Sequence, residues 1–251
     1  MNQTKKEYQD FYNKVGSLIG WDFSNLQYTS DGVEWELYDI LKQKCKETDV
    51  LLDIGTGGGE RILEISSKFK FVFGIDISPN MIRTAKKNQI NSDISNVRFF
   101  EMDAEKINFP DEMFNVITCR HSDFFPNEIY RLLEKGGSFL TQQVGEADKL
   151  NLKKAFERGQ SFGIEDGSAM KEYVQNLQTV GFSQIKTYEY NAIEYYSRAE
   201  DLIFLLKHTP IIEHFGVEKE DFTILEKFID KNTRNKGIQT NSKRYMIIAE
   251  K

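Results

Sequence analysis

From about residue 33 to residue 142, short runs of consecutive apolar residues alternate with stretches where apolar residues recur every three or four positions. A strand buried on both faces shows no polar alternation, so the runs predict a parallel sheet and the periodic stretches its crossover helices. Val33, Leu37, Ile40, Leu41 and Cys45 predict a helix ahead of a first strand, Val50 to Ile54. Glycines 55, 57, 58 and 59 then turn the chain into a helix through Ile62, Leu63 and Ile65. Phe71 to Ile75, Val97 to Phe100, Phe114 to Cys119 and Ser138 to Gln142 predict four more strands, the last entered through Gly136 and Gly137. Ser78 and Pro79 open one intervening helix, as cap and first helical residue, and Ile129, Leu132 and Leu133 mark another.

The rhythm changes beyond Val144. Met170, Tyr173, Val174, Leu177 and Val180 predict an amphipathic helix stopped by Gly181. Strands are expected near Gln184 to Tyr190 and at Tyr245 to Ala249, with helical patterns between them at Leu202 to Leu206 and Phe222 to Ile229. No repeat, low-complexity tract or flexible linker interrupts the chain. The whole of 1–251 therefore reads as a single domain, with an N-terminal segment over 1–30, a core over 33–145 and a helical cap insert over 196–240 before the last strand.

Composition narrows this little. With 39% hydrophobic and 29% charged residues the chain can bury a substantial core, and its 19 Phe and 11 Tyr suit an aromatic pocket or a Phe-rich core equally. A net charge of −6 counts against a protein held to nucleic acid chiefly through phosphates. Cys45 and Cys119 have no metal-site spacing and suggest reduced thiols. The polar start and the lack of a long apolar run predict a cytoplasmic protein with no membrane span.

The chemistry gathers at strand ends. Asp53, Ile54, Gly55, Thr56, Gly57, Gly58 and Gly59 follow directly on an apolar strand, where glycine allows a tight turn and close approach to a ligand. A dinucleotide fingerprint counted from Gly55 finds Gly57 and then Glu60 where its third glycine belongs. Asp53 would repel a diphosphate but suits a ligand carrying an ammonium group. Asp76 ends the second strand, where a carboxylate can accept two ribose hydroxyls, and Asp103 follows the third, placed to accept an adenine amino group.

The runs VLLDIGTGGGE, FGIDISPNMIRTAKKN, NVRFFEMDAEKINFPDEMFNVITCRHSDFF and LLEKGGSFL, over about residues 48 to 142, resemble the class I S-adenosylmethionine (SAM) dependent methyltransferase family. The resemblance implies a Rossmann-like α/β three-layer sandwich whose seven-stranded, mostly parallel sheet has an antiparallel last strand. It implies SAM as cofactor, S-adenosylhomocysteine as product, and a cofactor site of Asp53, Gly55, Thr56, Gly57, Asp76, Ile77, Met81, Asp103, Ala104 and Arg120. Asp53, Gly55 and Gly57 would hold the methionine end, Asp76 the ribose and Ile77 the adenine face. Asp103 and Ala104 would border the adenine, and the Arg120 carbonyl would lie by the methionine amine. Asn115 stands where many members have Asp, a position that is structural more than chemical.

The acceptor is less legible, because methyl transfer needs little beyond in-line positioning and sometimes a base. His121 is the candidate base, with packing as its alternative role. After the fourth strand, Arg120, His121, Ser122 and Asp123 replace the Asn/Asp-Pro-Pro-Tyr/Phe motif of base amino-methylation, and no acid-and-histidine cluster suggests a metal. Tyr12, Trp21 and Tyr28 either close over the pocket or anchor their segment. Lys227, Lys231, Arg234, Lys236, Lys243 and Arg244 form either a solvated face or a contact for an anionic acceptor such as RNA. A small-molecule methyltransferase is the leading expectation. An RNA methyltransferase and a non-catalytic SAM-binding protein are the alternatives.

Overall fold

A computed structural model describes residues 26–251 together with Lys6. In chain order the elements are β1 (Tyr28–Asp31), α1 (Leu37–Lys44), β2 (Val50–Ile54), α2 (Glu60–Ile65), β3 (Phe71–Asp76), α3 (Pro79–Ser92), β4 (Val97–Glu101), β5 (Phe114–Arg120) and α4 (Pro126–Leu132). They continue with β6 (Leu133–Val144), α5 (Leu150–Phe156), α6 (Ser168–Val180), β7 (Ser183–Tyr196), α7 (Ala199–His208), α8 (Glu220–Asn232), β8 (Thr233–Arg234) and β9 (Gly237–Glu250). One sheet runs β1-β7-β9-β6-β5-β2-β3-β4, with the short β8 paired to β9. Strands β2 to β6 pair in parallel, and β9 lies antiparallel to both β6 and β7. This is the expected α/β sheet with its antiparallel last strand, extended by β1 and β8.

Each central strand sends alternate residues to opposite layers. Leu51, Val72, Val97 and Val116 pack with Leu37, Leu41, Ile62, Ile82 and Ala85 of α1, α2 and α3. On the other face Leu52, Ile54, Ile75, Ile117 and Phe139 pack with Ile129, Leu132 and Leu177 of α4 and α6. Burial on both faces explains the apolar runs. Asn115 proves structural: its side chain accepts the Val50 N–H (2.7 Å) and so ties the start of β5 to that of β2.

The chain makes β2, β3 and β4 outward, then returns to lay β5 on the other side of β2. The switch point therefore falls between β2 and β5, and open α/β sheets hold ligands beyond the carboxyl ends of their strands there.

The largest departure from expectation is a long ribbon. Strands β7 and β9 pair from Ser183 with Glu250 to Tyr196 with Ile238, well past the end of β6 at Val144. Helices occupy 199–208 and 220–232 of the stretch 196–240, and strands take its ends. Leu202, Leu206, Leu225 and Phe228 of α7 and α8 bury a third core with Leu152, Phe156, Tyr196 and Ile238. Tyr28 stacks on Tyr196 (centroids 5.5 Å apart) as β1 pairs with β7, so this residue anchors its segment. Tyr12 and Trp21 lie outside the described residues.

Gly59, the residue before α2, shows how tightly the turn is packed. Its φ is +75°, and a Cβ there would stand 2.5 Å from Phe99 Cζ and 3.3 Å from Ala85 Cβ. Gly59→Ala is expected to cost about 2–4 kcal/mol of stability, from left-handed strain and overpacking together. Urea unfolding checks this, and an unchanged midpoint would contradict the packing described.

Candidate active site

Asp53 is 3% exposed at the end of β2, and the Thr118 hydroxyl on neighbouring β5 donates to its Oδ1 (2.7 Å). Burial pushes its carboxyl up to about 6, against the lowering effect of Thr118, Thr56 and the Arg120 charge. The Thr56 hydroxyl is buried beside it, yet closes no well-aligned hydrogen bond. Thr118 could not be singled out from its own neighbourhood in sequence, because only the β2–β5 register brings it to Asp53.

The glycine turn is held from several sides. Gly55 and Thr56 N–H both donate to the Ile75 carbonyl at 2.9 Å, and Gly57 N–H donates to Asp76 Oδ2 at 3.0 Å. Asn88 of α3 donates to the Gly58 carbonyl at 2.9 Å. Gly55 has φ +70°, and any side chain there would collide with Ser122. The turn is thus wedged between β3 and the β5–α4 loop.

Asp76 also accepts the Ser78 N–H (2.8 Å), so its two oxygens are shared between the turn and the entry to α3. Burial raises its pKa, and the two N–H groups oppose that rise. Ile77 beyond it is half-buried. Met81, 1% exposed, is already covered by protein, and its N–H is capped by Ser78 Oγ. The Met102 N–H donates to the Asp76 carbonyl (3.1 Å), which joins the end of β4 to that of β3. Asp103 then accepts the Glu105 N–H (3.0 Å) in its own turn, and Ala104 packs on the second core.

On the far side of Asp53 stand Arg120 and His121. His121 has φ +56°; its N–H donates to the Gln142 carbonyl (2.9 Å), and its Nε2 lies 3.0 Å from Gln142 Nε2. Burial and the charges of Arg120 and Arg244 hold its pKa well below the usual range, so the imidazole is neutral at pH 7. Arg244 lies opposite Tyr190 on the ribbon, and Trp35 packs on Tyr190 with ring centroids 4.7 Å apart. Arg120 also acts on Tyr190 and on Tyr38, whose hydroxyls burial raises.

The basic cluster is neutralised in part, while Lys227, Lys231 and Arg234 remain exposed. Lys236 pairs with Asp31, Lys243 with Asp166 and Glu189, and Arg244 with Asp148. Arg234 donates to the carbonyls of Lys231 and Thr233. Among the described residues no helix is long and apolar enough to cross a membrane.

The site joins a Rossmann-like sheet, acids on its carboxyl rim and a glycine turn at the switch point. The chain belongs to the methyltransferase-domain family, whose profile matches residues 45–195. It is 32% identical over 108 residues to the uncharacterised methyltransferase YcgJ of Bacillus subtilis, covering 40% of this chain and 43% of that one. It is 31% identical over 117 residues to the ubiquinone/menaquinone biosynthesis C-methyltransferase UbiE of Brucella canis, covering 42% and 44%. The chain thus spans less than half the length of either relative. The YcgJ crystal structure superposes with a TM-score of 0.60 at 21% identity, over 85% of this chain and 97% of that one. The [4+2]-cyclase SpnF superposes with a TM-score of 0.62 at 16% identity, over 100% and 97%, a likeness of fold alone.

Proposed function

We propose that the protein transfers the methyl group of SAM to a small-molecule acceptor. The observation that carries the cofactor reading is Asp53, a buried carboxylate that no cation among the described residues pairs with, beside a glycine turn and a second acid, Asp76. The donor set fits SAM: Asp53 would hold the methionine amine together with the Arg120 carbonyl, Asp76 the ribose, and Asp103 with Ala104 and Ile77 the adenine. Thr56 and Gly55 to Gly57 would line the turn, with Met81 behind it. When bound, SAM supplies an electrophilic methyl group on a sulfonium. The chain would orient the acceptor against it. His121, kept neutral and weakly basic by burial and two arginine charges and already accepting from Gln142 at Nε2, is the candidate base only for an acceptor that gives up its proton readily.

The small-molecule reading draws on the acidic charge, on the pairing of Lys236, Lys243 and Arg244 with carboxylates, and on UbiE, whose name gives it a small-molecule acceptor. Calorimetric titration with S-adenosylhomocysteine, with NADH as control, tests the cofactor. Micromolar binding of the first alone is expected, and binding of neither would sink the reading.

Asp53 also makes binding pH-dependent. The free carboxyl titrates at about 6, and a bound ammonium group lowers that value, so binding expels a proton below pH 6. Affinity for S-adenosylhomocysteine should therefore fall as pH drops from 7 to 5, approaching tenfold per pH unit below 6, while the ligand's ammonium group stays charged. Asp53→Asn should bind more weakly at pH 7 and show a flat profile. A sloping profile in that variant would move the effect to another group.

A further inference from the structure

Near its end β6 carries two glutamines that point to opposite faces of the sheet, and both hold the turn that follows β5. Gln143 donates from its side-chain amide to the Ser122 carbonyl (2.8 Å). Gln142 holds His121 at two points. Its backbone carbonyl accepts the His121 N–H (2.9 Å), and its side-chain amide nitrogen lies 3.0 Å from His121 Nε2. Gln142 is 5% exposed and its strand is paired on both sides, with Arg120 opposite it on β5 and Met246 on β9. The clamp therefore starts from a rigid point, and it sustains the left-handed backbone of His121 at φ +56°.

This contact decides what the ring can do. In a neutral imidazole one nitrogen carries the proton and the other a lone pair, and the partner of one sets the state of the other. An amide nitrogen has only protons to give, so His121 Nε2 accepts and the ring proton belongs on Nδ1. The strand register supports this orientation of the amide. Arg120 is the cross-strand neighbour of Gln142 and shares its face of the sheet, so the amide oxygen gains by turning toward the cation and the NH₂ group toward the ring. Nδ1 has no partner among the described residues. We propose that Gln142 is a positioning residue that keeps His121 in the Nδ1–H form, so that the ring offers the site a hydrogen-bond donor and no free lone pair. His121 then gains a proton only by giving up Gln142. Its first role is to hold a lone pair of the methyl acceptor, on oxygen or nitrogen, a role that rests on the function proposed above, whereas the tautomer does not.

Nitrogen NMR spectra of isotope-labelled histidines at pH 7 test this, because protonated and bare ring nitrogens resonate far apart. The chain has three histidines, and His121→Asn identifies the signals of His121. Wild type without added ligand should show Nδ1 protonated and Nε2 bare. Gln142→Met removes the donor, and the ring should change to mainly Nε2–H, the form a free imidazole prefers. Gln142→Glu replaces the donor with an acceptor, so the proton should move to Nε2 and the ring should titrate roughly one pH unit or more higher. A glutamine that serves packing alone would leave the tautomer unchanged in both variants. Nε2–H in wild type overturns the proposal, and so does Nδ1–H retained in folded Gln142→Met. Should that variant not fold, Nδ1–H retained in Gln142→Glu overturns it instead. None of these spectra needs a cofactor, so a wild type that shows Nδ1–H but fails to bind S-adenosylhomocysteine sinks the methyltransferase reading and leaves the role of Gln142 standing.

Discussion

An Asp76→Ala variant is expected to bind S-adenosylhomocysteine about 100-fold more weakly than wild type and to unfold at lower urea concentration. The affinity loss follows from two ribose hydroxyls that would each lose a charge-assisted bond worth at least about 1.5 kcal/mol, together about 3 kcal/mol. From sequence alone the residue looks free to serve the ligand without touching the fold. The structure adds a second duty, because the same carboxylate receives the Gly57 and Ser78 N–H groups. Alanine leaves both donors unpaired at a half-buried site, at a cost of about 1–3 kcal/mol of stability. Asp76→Asn separates the two duties: its one remaining carbonyl oxygen can keep one N–H while the charge is gone. It should recover part of the stability and little of the affinity. Wild-type affinity in either variant, measured by calorimetry, would move the ribose elsewhere.

The parallel half of the sheet was legible because its strands are buried on both faces, and apolar runs such as Val50 to Ile54 follow directly from that. The ribbon was not. In β9 the inward positions ahead of Tyr245 are Ile238, Thr240 and Ser242, all buried, and they alternate with Gln239, Asn241 and Lys243. Two of the three inward side chains are hydroxyls, so the period-2 pattern is present in burial but nearly absent in hydropathy. The same stretch reads as the polar tail of a helical insert, which is how the strand came to be expected to start at Tyr245 rather than Gly237.

At the site, acids at strand ends can be seen in one dimension, because strand and turn signals flank them. Their partners cannot. Thr118 reaches Asp53 through strand register, Asn88 reaches Gly58 from 30 residues away, and Ser122 closes on Gly55 only when β5 lies beside β2. Part of the basic cluster is neutralised for the same reason. Lys236 and Arg244 look uncompensated along the chain because Asp31 and Asp148, which neutralise them, are far away in sequence.

Lys149→Met is expected to lower the unfolding free energy by about 3–5 kcal/mol, a large part of what a domain possesses. Lys149 is 1% exposed, and its ammonium donates to Glu194 Oε2 (2.7 Å) and to the Asn241 carbonyl (3.0 Å), pinning the end of β6 to the ribbon. Glu194 also accepts the Tyr196 hydroxyl (2.9 Å). Burial alone would raise the Glu194 carboxyl, but the Lys149 charge and hydrogen bond, the Arg244 charge and the Tyr196 hydroxyl together hold the group below its usual value. In wild type this pair therefore adds stability above the ordinary glutamate range and loses it as pH falls through the depressed value. Without the ammonium, burial prevails and Glu194 titrates high, so its penalty vanishes once it is protonated. The deficit of Lys149→Met should accordingly be full at pH 7 and shrink as pH falls toward 4. A Lys149→Met/Glu194→Leu double variant should recover most of the loss at pH 7, since the cost lies in the stranded carboxylate rather than in a missing attraction. Urea midpoints of the two variants at pH 7 and pH 5 decide this. A deficit that ignores pH and persists in the double variant would instead assign the loss to packing around the methylene stem.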